Sequence, residues 1–138
     1  MAAQDGEVRH ITQTTATSEC IGDGNDPLCT LETMLACRSR QIKAFCDIAG
    51  WHMGPDRAHN LEYRIVSRER FLNRGYPLMP DGQLAMYPES VEFGVDERQC
   101  TPGLPKCPNT EWERAYYLVG RGAGEWSIFA AGYKPFDE

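Results

Sequence analysis

Six cysteines in three locally spaced couples are the residues with the most chemistry to offer in this chain of 138 residues. Cys20 and Cys29 bracket eight residues, Cys37 and Cys46 bracket eight, and Cys100 and Cys107 bracket six. Thiols ligate metals, exchange electrons or cross-link, and spacing separates the three uses. A structural metal site takes two ligands two to four residues apart, so that one turn presents both to the ion. No C-x-x-C occurs in the sequence, which also removes the thioredoxin-type redox motif and the haem attachment motif. No metal and no cofactor is therefore expected. An even count of six suits a disulfide framework. The Pro- and Gly-containing turn between Cys100 and Cys107 brings those two together. Cys20–Cys29 follows by elimination once Cys37 is paired with Cys46. The compartment that such bonds imply is oxidising, periplasmic or secreted. The alternatives are a reduced cytosolic set of six, and a metal held by His52 and His59 with distant cysteines.

The elements that position these groups are helical first and extended afterwards. Asp26 is placed to cap a helix, and Pro27 suits its first position. Leu28, Leu31, Met34 and Leu35 share one face. Arg38-Ser39-Arg40-Gln41 reads as a polar corner, after which Ile42, Phe45 and Ile48 or Ala49 carry the apolar face of a second helix, ended by Gly50. A chain folding back at that corner sets Cys37 opposite Cys46. A staple across such a helical hairpin contributes about 2–3 kcal/mol on the chain-entropy model. After a loop at Trp51 to Asn60 the period changes to two. Leu61, Tyr63 and Ile65 alternate with Glu62 and Arg64, and Val91, Phe93 and Val95 alternate with Glu92 and Asp96. Pro77, Pro80 and Asp81-Gly82 mark the link between them. The closing hairpin runs from Trp112 to Val119 and from Trp126 to Tyr133 around Gly120-Arg121-Gly122-Ala123-Gly124, whose glycines tolerate positive φ. Residues 1–24 read as an extended arm and residues 25–138 as a single domain. The fold class is α+β, an N-terminal helical hairpin packed against a curved antiparallel sheet.

A formal net charge of −6 argues against general binding to nucleic acid or anionic membranes, which positive charge attracts first. Arg64, Arg68, Arg70 and Arg74 form one local basic stretch, interrupted by Glu62 and Glu69, and read as a solvated strand face of mixed charge. No apolar run reaches eighteen residues, so membrane insertion by a helix is not expected.

Two stretches carry a resemblance to a known family. "PLCTLETMLACRSRQIKAFCDIAG" looks like the opening helical pair of the nuclear transport factor 2-like superfamily, the cone-shaped α+β fold shared with ketosteroid isomerase. "ERAYYLVGRGAGEWSIFAAGYKP" looks like its closing hairpin, with Trp126 beginning the last strand after a Gly-containing turn. The cysteines and the Gly75 to Met86 link depart from that pattern, and the family's third helix is not evident between Asp47 and Leu61. The superfamily holds isomerases, dehydratases and hydrolases beside noncatalytic binding domains, so the resemblance implies a cone-like fold and no single activity.

An enzyme of that shape would use an inward carboxylate as general base with a tyrosine or second acid beside it. The candidates are Asp47, Asp56, His52, His59 and Tyr63. Their positions favour ordinary structural roles: Asp47 at a helix end, the histidines in a loop, Tyr63 in the core with its hydroxyl at the rim. No nucleophile elbow, zincin, phosphate-binding loop or dinucleotide motif is present. Tyr116, Tyr117, Trp126, Phe129 and Tyr133 concentrate aromatic surface on the closing hairpin, and alternation sends them to both faces. Outward aromatics suit a protein interface, including a homodimer through the sheet. No catalytic residue is assigned, and Tyr63, Tyr117, Trp126 and Tyr133 are the candidate binding residues. The expected function is that of an exported binding or accessory domain for a protein partner or a small apolar ligand in the cone. The alternatives are an isomerase, dehydratase or hydrolase of the same superfamily, and a toxin-neutralising protein.

Overall fold

The computed structural model describes residues 6, 8–11, 21–22, 24–40, 42–53, 61–77, 80–99, 111–122 and 124–135. Two helices, α1 (Pro27–Arg40) and α2 (Lys43–Ala49), precede four strands in chain order. These strands are β2 (Leu61–Tyr76), β3 (Ala85–Gln99), β4 (Glu113–Arg121) and β5 (Ser127–Gly132). A short β1 (Arg9–Ile11), contributed by the arm, pairs with the start of β2. The sheet is an antiparallel meander in the order β1-β2-β3-β4-β5.

Local chemistry explains both helix ends. The Asp26 carboxylate accepts from the backbone N–H of Leu28 at 2.8 Å, which satisfies a donor that the first turn leaves open, and Pro27 has no N–H to satisfy. Gly50 takes φ 75° as the C-cap of α2 and donates to the Asp47 carbonyl, a conformation that costs glycine little. The backbone N–H of Trp51 then donates to the Cys46 carbonyl at 2.9 Å, which fixes the direction in which the chain leaves α2.

The helices differ from the sequence expectation at their joint. The polar stretch Arg38 to Gln41 reads as a corner, yet α1 continues through Arg40, and α2 begins at Lys43. Long-range partners hold that last turn helical: Ser39 is buried, and Arg38 reaches the sheet. The Cys37–Cys46 disulfide joins the two helices with a Cα separation of 5.1 Å, and both residues are buried. Cys29 is disulfide-bonded as well. The couples Cys20–Cys29 and Cys100–Cys107 lie outside the described residues.

The core fills the space between α1 and one face of the sheet. Leu28, Leu31, Met34, Leu35 and Ala36 meet Tyr63, Ile65, Val91, Phe93, Val95, Ala115, Tyr117, Val119, Trp126 and Ile128. Residues 28–37 of α1 are all buried, polar ones included. Thr33 donates to the Cys29 carbonyl and accepts from the Gly22 backbone N–H, while the Tyr63 hydroxyl donates to the Glu32 carboxylate. Each of these buried polar groups is thereby compensated.

A bulge governs the long β2–β3 hairpin. Ile65 pairs with Val95 and Ser67 with Gly94, so Val66 is the extra residue. Beyond it Arg68 and Arg70 share a face with Phe93 and Val91, which breaks the alternation seen at Leu61 to Ile65. β3 pairs with β4 only from Glu89 to Glu97, so the hairpin runs on beyond β4 as two strands; Leu72, Leu84 and Met86 are exposed there, while Tyr76 and Tyr87 pack on Phe129 of β5 at 5.3 and 3.8 Å between ring centres. The basic stretch is distributed rather than continuous: Arg64 pairs with Asp96, Arg70 with Glu89, and Arg74 lies over the Phe71 and Tyr76 rings.

Candidate functional site

A cavity of about 310 Å³ opens where the chain leaving α2 passes the ends of β3, β4 and β5. Arg38 of α1, Trp51 and Met53 form one side. Glu97 of β3, Glu113, Ala115 and Tyr117 of β4, and Ala131, Gly132 and Tyr133 at the end of β5 form the other. Register accounts for the sheet side. Glu97 pairs with Glu113, Val95 with Ala115 and Phe93 with Tyr117, and Tyr117 pairs in turn with Ala131. Opposed residues share a face, so these side chains belong to the face that α1 covers nearby.

Arg38, Glu97 and Tyr117 form a hydrogen-bonded polar cluster in this cavity. The Arg38 guanidinium lies 3.2 Å from Glu97 Oε1, and its Nη1 donates to the Tyr117 hydroxyl at 2.9 Å. The Tyr117 hydroxyl donates to Glu97 Oε2. Each oxygen of the carboxylate therefore has a donor. Burial, followed by the neighbouring Glu97 charge, pushes the Tyr117 phenol well above the usual tyrosine value, which keeps it protonated.

Trp51 links this cavity to a smaller one. Its ring meets Tyr117 edge-on at 6.0 Å, and the Arg38 guanidinium lies 5.9 Å from its centre. The second cavity, of about 210 Å³, runs along β5 from Ile128 to Ala131 opposite Gly50, Trp51, His52 and Met53. Trp51, Met53 and Ala131 line both. The indole N–H of Trp51 is buried without a hydrogen-bond partner, an uncommon state for a donor.

A second polar cluster lies on the opposite face. Asp96 is buried between Arg64 and Arg114, and the hydrogen bond from Arg114 leads the causes that hold its carboxyl below the usual value. The Trp112 ring is flanked by the guanidinium groups of Arg64 at 4.5 Å and Arg98 at 4.2 Å. This face is cross-linked by charge and closed.

The four residues named from sequence fall in different places. Tyr117 and Tyr133 line the larger cavity, Tyr117 buried and Tyr133 exposed. Tyr63 is buried against Glu32, and Trp126 is buried under the Arg121 guanidinium at 4.9 Å; neither lines either cavity. Asp47 is exposed and pairs with Lys43 at 3.4 Å, while His52 is exposed beside the smaller cavity. Asp56 and His59 lie outside the described residues. Arg38, Trp51, Glu97 and Glu113 were missed. A signal existed for two of them: Arg38 continues the apolar stripe four residues after Met34, and Glu97 keeps the inward phase of Val91, Phe93 and Val95. Among the described residues no cluster of His, Cys, Asp or Glu could hold a metal ion, and no helix is long and apolar enough to cross a membrane.

The chain matches no family model, no curated protein sequence and no solved structure.

Proposed function

We propose that the chain is an exported, noncatalytic binding domain that holds a small ligand with an apolar body in the cavity between Trp51–Met53 and the end of the sheet. The observation that carries this reading is a cavity with aromatic and apolar walls whose buried carboxylate, Glu97, is hydrogen-bonded to Arg38 and Tyr117, while the other lining carboxylate among the described residues, Glu113, stands exposed at the rim. A general base needs an oxygen directed at substrate, whereas both oxygens of Glu97 already have donors. Tyr117, held protonated, is a poor base and a poor nucleophile. Small-molecule sites commonly combine apolar walls with a few polar groups, and Trp51, Met53 and Ala131 supply apolar wall to both cavities here. The Cys37–Cys46 bond supports an oxidising compartment. Likeness to the nuclear transport factor 2-like superfamily belongs to the same proposal, supported by two helices ahead of an antiparallel meander.

Ala131 is exposed and lines both cavities, so Ala131→Trp should fill them without touching the core. Ligand-observed NMR with a panel of aromatic fragments is expected to detect saturable binders to the native protein that the variant no longer binds. Fragments that fail to bind, or that bind the variant equally, would remove the cavity as a ligand site.

A further inference from the structure

The larger cavity is unbalanced in charge. Glu97 and Glu113 stand directly opposite each other on β3 and β4, an arrangement in which like charges repel. Arg38 neutralises Glu97, and both of those side chains are mostly buried, at 13% and 11% exposure. Glu113 is exposed, and among the described residues it has neither an ion pair nor a hydrogen bond. Among the described residues, two carboxylates against one guanidinium leave the lining of the cavity with one excess negative charge, on exposed Glu113.

Aromatic surface lies beside that charge. Tyr133 directly follows Gly132, the last paired residue of β5, and lines the same cavity as Ala115 and Glu113. Tyr133 is 75% exposed and Met53 80%, and with half-buried Trp51 they give the cavity its apolar lining on that side. An aromatic face next to a carboxylate is the pairing that holds organic ammonium groups, because the ring quadrupole and the anion both attract a weakly hydrated cation. The chain's net charge of −6 favours approach of the same class. Arg38 does not oppose it, since its guanidinium is paired with Glu97.

Resting on the proposed binding function, we infer that the ligand is an organic cation, an ammonium group attached to a small apolar body. The ammonium sits at the mouth beside Glu113 and Tyr133, and the apolar body enters between Trp51, Met53 and Ala131.

Three probes that share a phenethyl body separate this inference from the reading beneath it. Phenethylamine is cationic at neutral pH, 2-phenylethanol is neutral and 3-phenylpropionate is anionic. Calorimetric titration of the full chain at low salt is expected to give phenethylamine roughly tenfold higher affinity than the alcohol, with the carboxylate weakest. Glu113→Gln, at an exposed position, is expected to remove most of the amine's preference over the alcohol and its salt dependence. Equal affinity for amine and alcohol, a preference for the carboxylate, or a preference that survives in Glu113→Gln would overturn the cation and leave the cavity as a binding site. Absence of binding by all three probes, or binding unaffected by Ala131→Trp, would overturn both.

Discussion

Tyr63 and Glu32 show how one side chain can change role between sequence and structure. By its alternation Tyr63 is a core tyrosine with a wet hydroxyl; in the fold it is fully buried, and that hydroxyl donates to a carboxylate that is itself in the core. Glu32 gives no periodic hint, because α1 is buried all round over residues 28–37 and no polar face marks the exception. A carboxylate at that depth depends on its donors. Tyr63→Phe keeps the ring and removes one of them, so it should destabilise the protein by about 1.5–3 kcal/mol. Urea unfolding of the variant against the native chain measures this, and a change within error would mean that the phenol contributes nothing to holding Glu32.

Helix α2 is short, seven residues, and isolated helices of that length are not stable in water. Its packing against α1 and, to a smaller extent, β5 therefore defines it, together with the disulfide to α1 and the Gly50 cap. Together they also aim Trp51, whose backbone N–H is held by the Cys46 carbonyl. Removing the bridge with Cys37→Ser and Cys46→Ser should lower stability by about 2–3 kcal/mol, the loop-entropy value for so short a closure. The same pair of changes should weaken ligand binding in the cavity, because Arg38 directly follows Cys37 and the Trp51 backbone N–H is bonded to the Cys46 carbonyl. Denaturant midpoints and probe titrations on one preparation test both effects; an unchanged midpoint would show that helix packing alone suffices. The helices and the closing hairpin were legible because caps, prolines and glycines act on their immediate neighbours. The joint after Arg40 and the length of β2 were not, since Arg38 answers to Glu97 and the β2 alternation is broken by a bulge.

Across the whole molecule, two clusters on opposite faces of the sheet set how stability should respond to pH. Asp96, held below its ordinary 3.8 by Arg114 first and by Arg64, stabilises the fold above that value, and this contribution is lost as pH falls through the folded pKa. Tyr117 has the opposite sign. Its folded pKa is raised from 10.0, so its contribution is full below pH 10 and declines as the unfolded state gives up the phenolic proton above it. Stability measured by denaturant from pH 2 to 12 should therefore show a plateau bounded on both sides. Tyr117→Phe should flatten the alkaline decline, and Asp96→Asn the acid one. An alkaline limb of the same slope in Tyr117→Phe would assign that decline to other groups.

Local rules acting within a few residues were enough for the chain by itself to determine its class, helices followed by antiparallel strands, together with the Asp26 and Gly50 caps and the pairing of Cys37 with Cys46. Only the tertiary structure decided where chemistry could occur. Arg38, Trp51, Glu97 and Tyr133 come from positions far apart in the chain, and they meet because register across β3, β4 and β5 sets them against the segment leaving α2. Tyr63 and Trp126, equally aromatic in sequence, go to the core instead, because burial depends on what packs opposite a residue and not on its type alone.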